Sequence, residues 1–74
     1  MFMSEDKVIL RINEVVELTG LSRSYVYQLS KEGKFPKPIN LVPGGEAKGW
    51  VAREIHDWIL ERIAERDGAA NVTE

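Results

Sequence analysis

A chain of 74 residues, 43% of them hydrophobic, has room for one domain, and a domain that short buries only about 60% of its unfolded surface, too little to enclose a deep catalytic pocket. The absence of cysteine removes disulfides, thiolate zinc sites and thiol nucleophiles together, and a single histidine, His56, cannot build a histidine metal cluster. Ten basic residues against twelve acidic ones give a net charge of −2, so any attraction for an anionic partner has to be local rather than global.

The opening residues, Met1-Phe2-Met3-Ser4-Glu5-Asp6, lack the basic-then-apolar order of a secretory signal. A cytoplasmic location is therefore expected, with residues 1–7 as a flexible tail. Val8-Ile9-Leu10-Arg11-Ile12 reads as a short strand with Val8, Leu10 and Ile12 on one side. Asn13 stands before Glu14-Val15-Val16-Glu17-Leu18-Thr19, where its side-chain oxygen is placed to accept from the free amides of a helix start, with Glu14 favourable at the positive helix end. Gly20 suits the left-handed conformation that stops this helix. Ser22 is expected to cap a second helix, Arg23 to about Lys31, with Leu21 and Val26 packing across the cap as a hydrophobic staple.

The spacing of Val16, Gly20, Val26 and Leu29 predicts a helix-turn-helix, in which the glycine permits a sharp turn and small or branched apolar residues fill the crossing. At about 100° per residue, Val26, Leu29 and Ser30 face inward. Ser24, Tyr27, Gln28 and Lys31 then face outward, with Arg23 and Tyr25 near the helix start. An outer face that is polar, aromatic and basic suits the major groove of double-stranded DNA, where the first turns of a helix reach base edges. Arg23 and Gln28 are the candidates for base contact. Tyr27 has two open readings, contact with DNA or packing on the edge of the core.

Lys34-Phe35-Pro36-Lys37-Pro38 excludes helix through its two prolines. Ile39 to Val42 then reads as a strand, Pro43-Gly44-Gly45 as a type II turn, and Ala47 to Val51 as the returning strand. This hairpin is a candidate wing, with Lys48 and Lys37 placed to meet phosphate and Trp50 anchoring it on the core. The last helix is expected from about Arg53 to Arg66, with Val51, Ile55, Trp58, Ile59 and Ile63 in one apolar stripe. Glu54, Asp57, Glu61 and Glu65 lie outside that stripe, Leu60 falls off it, and His56 is an exposed histidine with no nucleophile spaced to work with it. Residues 67–74 are expected to form a flexible tail. Charge follows the elements: residues 1–20 hold two basic and four acidic side chains, residues 21–50 five and two, and residues 51–74 three and six. The positive charge thus gathers on the helix-turn-helix and hairpin. The bland alternative is that these lysines form only a solvated face.

Leu10-Arg11-Ile12, Thr19-Gly20-Leu21-Ser22-Arg23-Ser24, Val26-Tyr27, Lys31-Glu32-Gly33-Lys34-Phe35-Pro36-Lys37-Pro38, Gly49-Trp50 and Glu54-Ile55 together resemble the AlpA family of phage-type regulators, over nearly everything from Val8 to Arg62. The resemblance implies a mainly α winged helix-turn-helix with a small β-hairpin, MerR-like or excisionase-like, occupying residues 8–66. It implies a DNA-binding transcriptional regulator of a prophage or integrated element, or alternatively an excisionase acting with an integrase. Carried over residue by residue, it places the start of the recognition helix on Ser22, Arg23 and Ser24, its aromatic on Tyr27, and the wing between Leu41 and Trp50.

Two positions depart from the family pattern: Glu46 stands where the wing turn commonly has a basic residue, and Arg53 where a serine often caps the last helix. Arg53 is compatible with a phosphate contact beside the wing. The candidate DNA-binding set is Ser22, Arg23, Ser24, Tyr25, Tyr27, Gln28, Lys31, Lys37, Lys48 and Arg53. Double-stranded DNA is the expected partner, with neighbouring protomers on repeated sites and an integrase or RNA polymerase as further ones. No enzyme activity, cofactor, membrane contact or small-molecule ligand is expected. A protein-interaction adaptor that reuses the fold is the alternative from another class.

Overall fold

In the computed structural model the elements run β1 (Ile9–Leu10), α1 (Ile12–Thr19), α2 (Arg23–Lys31), β2 (Ile39–Asn40), β3 (Lys48–Val51) and α3 (Ala52–Val72). The backbone of residues 7–72 and the side chains of residues 7–68 are described. The three strands form one antiparallel sheet in the order β1-β3-β2. Ile9 lies opposite Val51 and Leu10 opposite Trp50, while Ile39 lies opposite Gly49 and Asn40 opposite Lys48. The first strand therefore completes the hairpin as a third strand, and three helices with this small sheet make a mainly α winged helix-turn-helix.

Local chemistry sets the element ends. Gly20 adopts φ 78° and donates its N–H to Val16 O at 2.8 Å. Ser22 Oγ accepts from Tyr25 N at 3.1 Å, the expected cap of α2. α2 ends in a Schellman arrangement, with Gly33 at φ 80° and Lys34 N donating to Leu29 O at 2.9 Å. In the hairpin Gly45 N donates to Val42 O at 2.8 Å with Gly44 at φ 77°, which is the geometry Pro43-Gly44 requires in a type II turn.

The start of α1 differs from the sequence expectation. The helix begins at Ile12 with Arg11 at the N-cap, so Asn13 lies inside the first turn. Arginine has no oxygen to offer, and Glu14 at the third helical position reaches back instead, its Oε1 accepting from Arg11 N at 2.9 Å. Val15, rather than Val16, is fully in the core, and Val16 is half-buried.

The core consists of Leu10, Val15, Val26, Phe35, Trp50, Ala52 and Ile55, with Ile12, Leu21, Leu29, Trp58 and Ile59 packed against it. Val8 lies outside β1 and is 73% exposed, so only Leu10 of the expected strand face is buried. Ile63 is 41% exposed, because the apolar contact of α3 ends at Ile59. Leu60 is exposed as its angular position requires.

α3 also runs past Arg66 to Val72. Gly68 costs about 1 kcal/mol relative to alanine inside a helix, which is too little to stop one already propagating. The tail expected for residues 67–74 is thus helical through Val72, and residues 73–74 lie outside the described residues, as do residues 1–6 of the N-terminal tail. Lys7 is described and pairs with Glu14. Among the described residues no helix is long and apolar enough to cross a membrane.

Candidate nucleic-acid interface

The second helix sorts its side chains by angle. Val26 and Ser30 are buried and Leu29 is half-buried, while Arg23, Ser24, Tyr25, Tyr27, Gln28 and Lys31 are exposed. Tyr27 packs on the edge of the core and stays open to solvent. Its ring lies 5.6 Å from that of Trp50 with the planes inclined at 56°, yet the residue remains 42% exposed. An apolar ring with a polar tip fits such a boundary position. Ser22 is exposed, but its hydroxyl is committed to the cap. Gln28 Nε2 donates to Glu32 Oε2 at 3.2 Å along its own helix.

The linker between α2 and β2 is held by two indoles. Trp50 Nε1 donates to Pro36 O at 3.0 Å, and Trp58 Nε1 donates to Lys34 O at 2.9 Å. Phe35 is buried edge-on to Trp58 with ring centroids 4.7 Å apart. The buried Ser30 Oγ donates to Pro36 O at 3.0 Å as well. These anchors bring Lys37 back beside α2, where Tyr27, Ser30, Lys31, Lys37 and Pro38 line one shallow notch. Sequence reasoning identified Trp50 as an anchor and missed the clamp as a whole. The available signal was that an indole taken out of water needs an acceptor, and a proline-rich linker offers free carbonyls.

Lys48 and Trp50 are two residues apart on β3 and so share one face of the sheet. Because Trp50 turns its ring to Tyr27, this is the face toward α2. Lys48 Nζ donates to Asn40 Oδ1 of the paired strand at 2.6 Å. On the other face Gly49 packs under β1 and Leu41, where a Cβ would overlap Ile9 Cγ2. Glu46 is exposed in the turn region. Arg53 is exposed in the first turn of α3, and no hydrogen bond or ion pair among the described residues joins it to the α2 group.

The cations divide into two sets. Lys7 pairs with Glu14, Lys34 with Glu32, Arg62 with Glu65 and Arg66 with Asp67. Arg62 also lies over the Trp58 ring, 5.3 Å from its centroid. By contrast, Arg23 Nη2 donates to Asn13 Oδ1 at 2.6 Å and Lys48 donates to Asn40, so both meet neutral amides. Lys31, Lys37 and Arg53 have no carboxylate partner among the described residues, and neither does Arg11, which lies outside the candidate set. Glu14 shows the effect of pairing, since the hydrogen bond from Lys7, and after it that from the Arg11 backbone, hold its carboxyl below the usual range.

Residues 8–63 match the family of the prophage CP4-57 regulatory protein (AlpA). The chain is also similar to an uncharacterized protein, ORF88, of Enterobacteria phage P4, with 44% identity over 57 residues that cover 77% of this chain and 62% of that protein. The chain thus spans under two thirds of the length of this relative. No solved structure matches it.

Proposed function

The chain belongs to the AlpA family of prophage regulatory proteins, and from that premise we propose that it is a sequence-specific DNA-binding regulator of transcription in a prophage or integrated mobile element. The unit that binds is residues 8–66. α2 enters the major groove, with Arg23, Ser24, Tyr25, Tyr27 and Gln28 toward base edges and Ser22 setting the helix start. Lys31 and Lys37 at the end of α2, Lys48 on the hairpin and Arg53 on α3 meet phosphates. One such module reads few base pairs, so several protomers on repeated half-sites supply the specificity.

The observation that carries this reading is the division of the cations. Arg23, Lys31, Lys37, Lys48 and Arg53 all lack a carboxylate partner among the described residues, as does Arg11 outside this set, whereas Lys7, Lys34, Arg62 and Arg66 are paired. A phosphate approaching a paired cation has to displace a carboxylate, and one approaching an unpaired cation releases only counterions. The net charge of −2 is no obstacle, because the field that a duplex meets is local.

A salt titration of binding to labelled duplex tests the proposal. With three to five phosphate contacts, log K falls against log salt with a slope of about −3 to −5. Absence of duplex binding at low salt overturns the reading and favours an adaptor that binds only protein.

A further inference from the structure

We infer that Asn13 and Asn40 are positioning residues for DNA binding, each holding one cation of the interface with a neutral oxygen that leaves its charge uncancelled. This rests on the reading of α2 and the hairpin as the DNA-facing surface. Asn13 on α1 accepts from Arg23 Nη2 on α2 at 2.6 Å, and Asn40 on β2 accepts from Lys48 Nζ on β3 at 2.6 Å. In both cases the tether crosses from a neighbouring element, and in the hairpin the two residues are direct register partners.

The physical argument concerns what a long cationic side chain loses on binding. Arginine and lysine held by nothing give up rotamer freedom when they meet a phosphate or a base edge. A partner that orders them beforehand removes part of that cost. A carboxylate would order them too, as Glu65 does for Arg62, but it would also cancel the charge that the nucleic acid requires. An amide oxygen supplies the hydrogen bond without the net charge. It uses one donor of each cation, leaving the remaining guanidinium fork of Arg23 and two ammonium donors of Lys48 for DNA.

The choice of residue at position 13 sharpens the point. Asn13 is the second residue of α1, near the positive end of the helix, where an aspartate would stabilise the helix more than an asparagine does. Helix stability alone favours the acid. The neutral amide gives up that helix stabilisation and leaves the charge of Arg23 uncancelled.

The test replaces each amide with its isosteric acid, Asn13→Asp and Asn40→Asp, and follows binding of the full chain to a labelled random duplex and to DNA flanking its own gene. Asn13→Asp is expected to melt at the wild-type temperature or above it, while losing roughly tenfold in affinity and about 0.9 from the salt slope. Asn40→Asp is expected to lose affinity and slope in the same way. Asn13→Ala, which removes the tether and adds no charge, is expected to keep the slope and lose affinity only for the preferred sequence. In an Arg23→Ala background, Asn13→Asp is expected to cost far less than in the wild type. Wild-type affinity and slope in both Asp variants, or a loss for Asn13→Asp that is equal with and without Arg23, overturns the tethers while leaving DNA binding standing. Failure of the wild type itself to bind either duplex at low salt overturns both.

Discussion

Ser30 Oγ and Trp50 Nε1 donate to the same acceptor, the carbonyl oxygen of Pro36, each at 3.0 Å. One oxygen thereby ties α2 to β3 through the linker that separates them in sequence. Ser30 is 4% exposed and Trp50 is fully buried, so neither donor has water as a substitute. Because the acceptor is shared, the two losses are not independent. Ser30→Ala leaves Pro36 O with the indole and is expected to cost about 1 kcal/mol. Trp50→Phe keeps the ring contact, loses the donor and leaves a small cavity, at about 2 kcal/mol. The double variant leaves the carbonyl without any donor, and urea denaturation is expected to show a loss exceeding the sum by up to about 1 kcal/mol. Simple additivity would show that the two bonds act separately.

Gly49 is required by the packing of the sheet rather than by its backbone angle. A Cβ at this position would overlap Ile9 Cγ2 and lie 3.2 Å from Leu41 Cδ2. The Ile9 methyl sits on a β-branched carbon and cannot swing aside without changing rotamer. Gly49→Ala is expected to cost about 1–3 kcal/mol in thermal or chemical denaturation. In an Ile9→Ala background the same change is expected to cost less, since the overlapping methyl is gone.

Much of this architecture was legible because it rests on local chemistry. Gly20, the Ser22 cap and the Pro43-Gly44 turn each follow from one residue's backbone or side-chain preference, and each is formed as expected. The misplaced features depend on groups distant in sequence or on competition between caps. Asn13 is a better cap than Arg11 by type, but Glu14 reaches back to the Arg11 amide and moves the helix start. The full α3 stripe predicted burial of Ile63, yet burial depends on where the rest of the molecule ends, and it ends near Ile59. In the candidate interface the outward face of α2 could be read from angle alone. The Asn13 and Asn40 contacts could not, since they join elements whose relative placement is set by the core.

Acid sensitivity follows from Glu14. Its carboxyl is held below the usual range by the hydrogen bond from Lys7 and then by that from Arg11 N. A group whose folded pKa is depressed contributes stability that is present above its unfolded pKa and is lost as pH falls through the folded one. The wild type is therefore expected to lose stability across that acid window. Glu14→Gln is expected to flatten this limb of the melting-temperature profile while lowering stability at neutral pH. Lys7→Ala is expected to shift the limb toward higher pH, and an acid limb unchanged in both variants would remove Glu14 from the account.

From Leu60 to Asp67, α3 adds helix without adding core. Every described side chain from Leu60 to Asp67 is exposed, and its ion pairs, Arg62 with Glu65 and Arg66 with Asp67, are local to the helix. Exposed pairs of this kind contribute between nothing and about 1 kcal/mol. A chain ending after Ala64 keeps Arg62 over Trp58 and is expected to lose helical circular dichroism while changing unfolding free energy by no more than about 1 kcal/mol. A larger loss would mean that residues beyond Ala64 stabilise the folded unit.

Under the proposed function, Arg23 and Lys37 answer differently to substitution. Arg23 stands in the first turn of α2 with its guanidinium oriented by Asn13, and a planar fork so held is suited to the paired acceptors on a guanine edge. Lys37 lies on the linker, in the notch beside Lys31, and carries a mobile point charge with no carboxylate partner among the described residues. Arg23→Ala is expected to cost about 1–3 kcal/mol on the preferred site and clearly less on random duplex, relaxing sequence preference. Lys37→Ala is expected to weaken both duplexes alike and to reduce the salt slope by about 0.9. Competition binding against random DNA separates the two roles. An Arg23→Ala variant that loses the same affinity on both duplexes would make Arg23 a phosphate residue, and base reading would then rest on Gln28 and the tyrosines of α2.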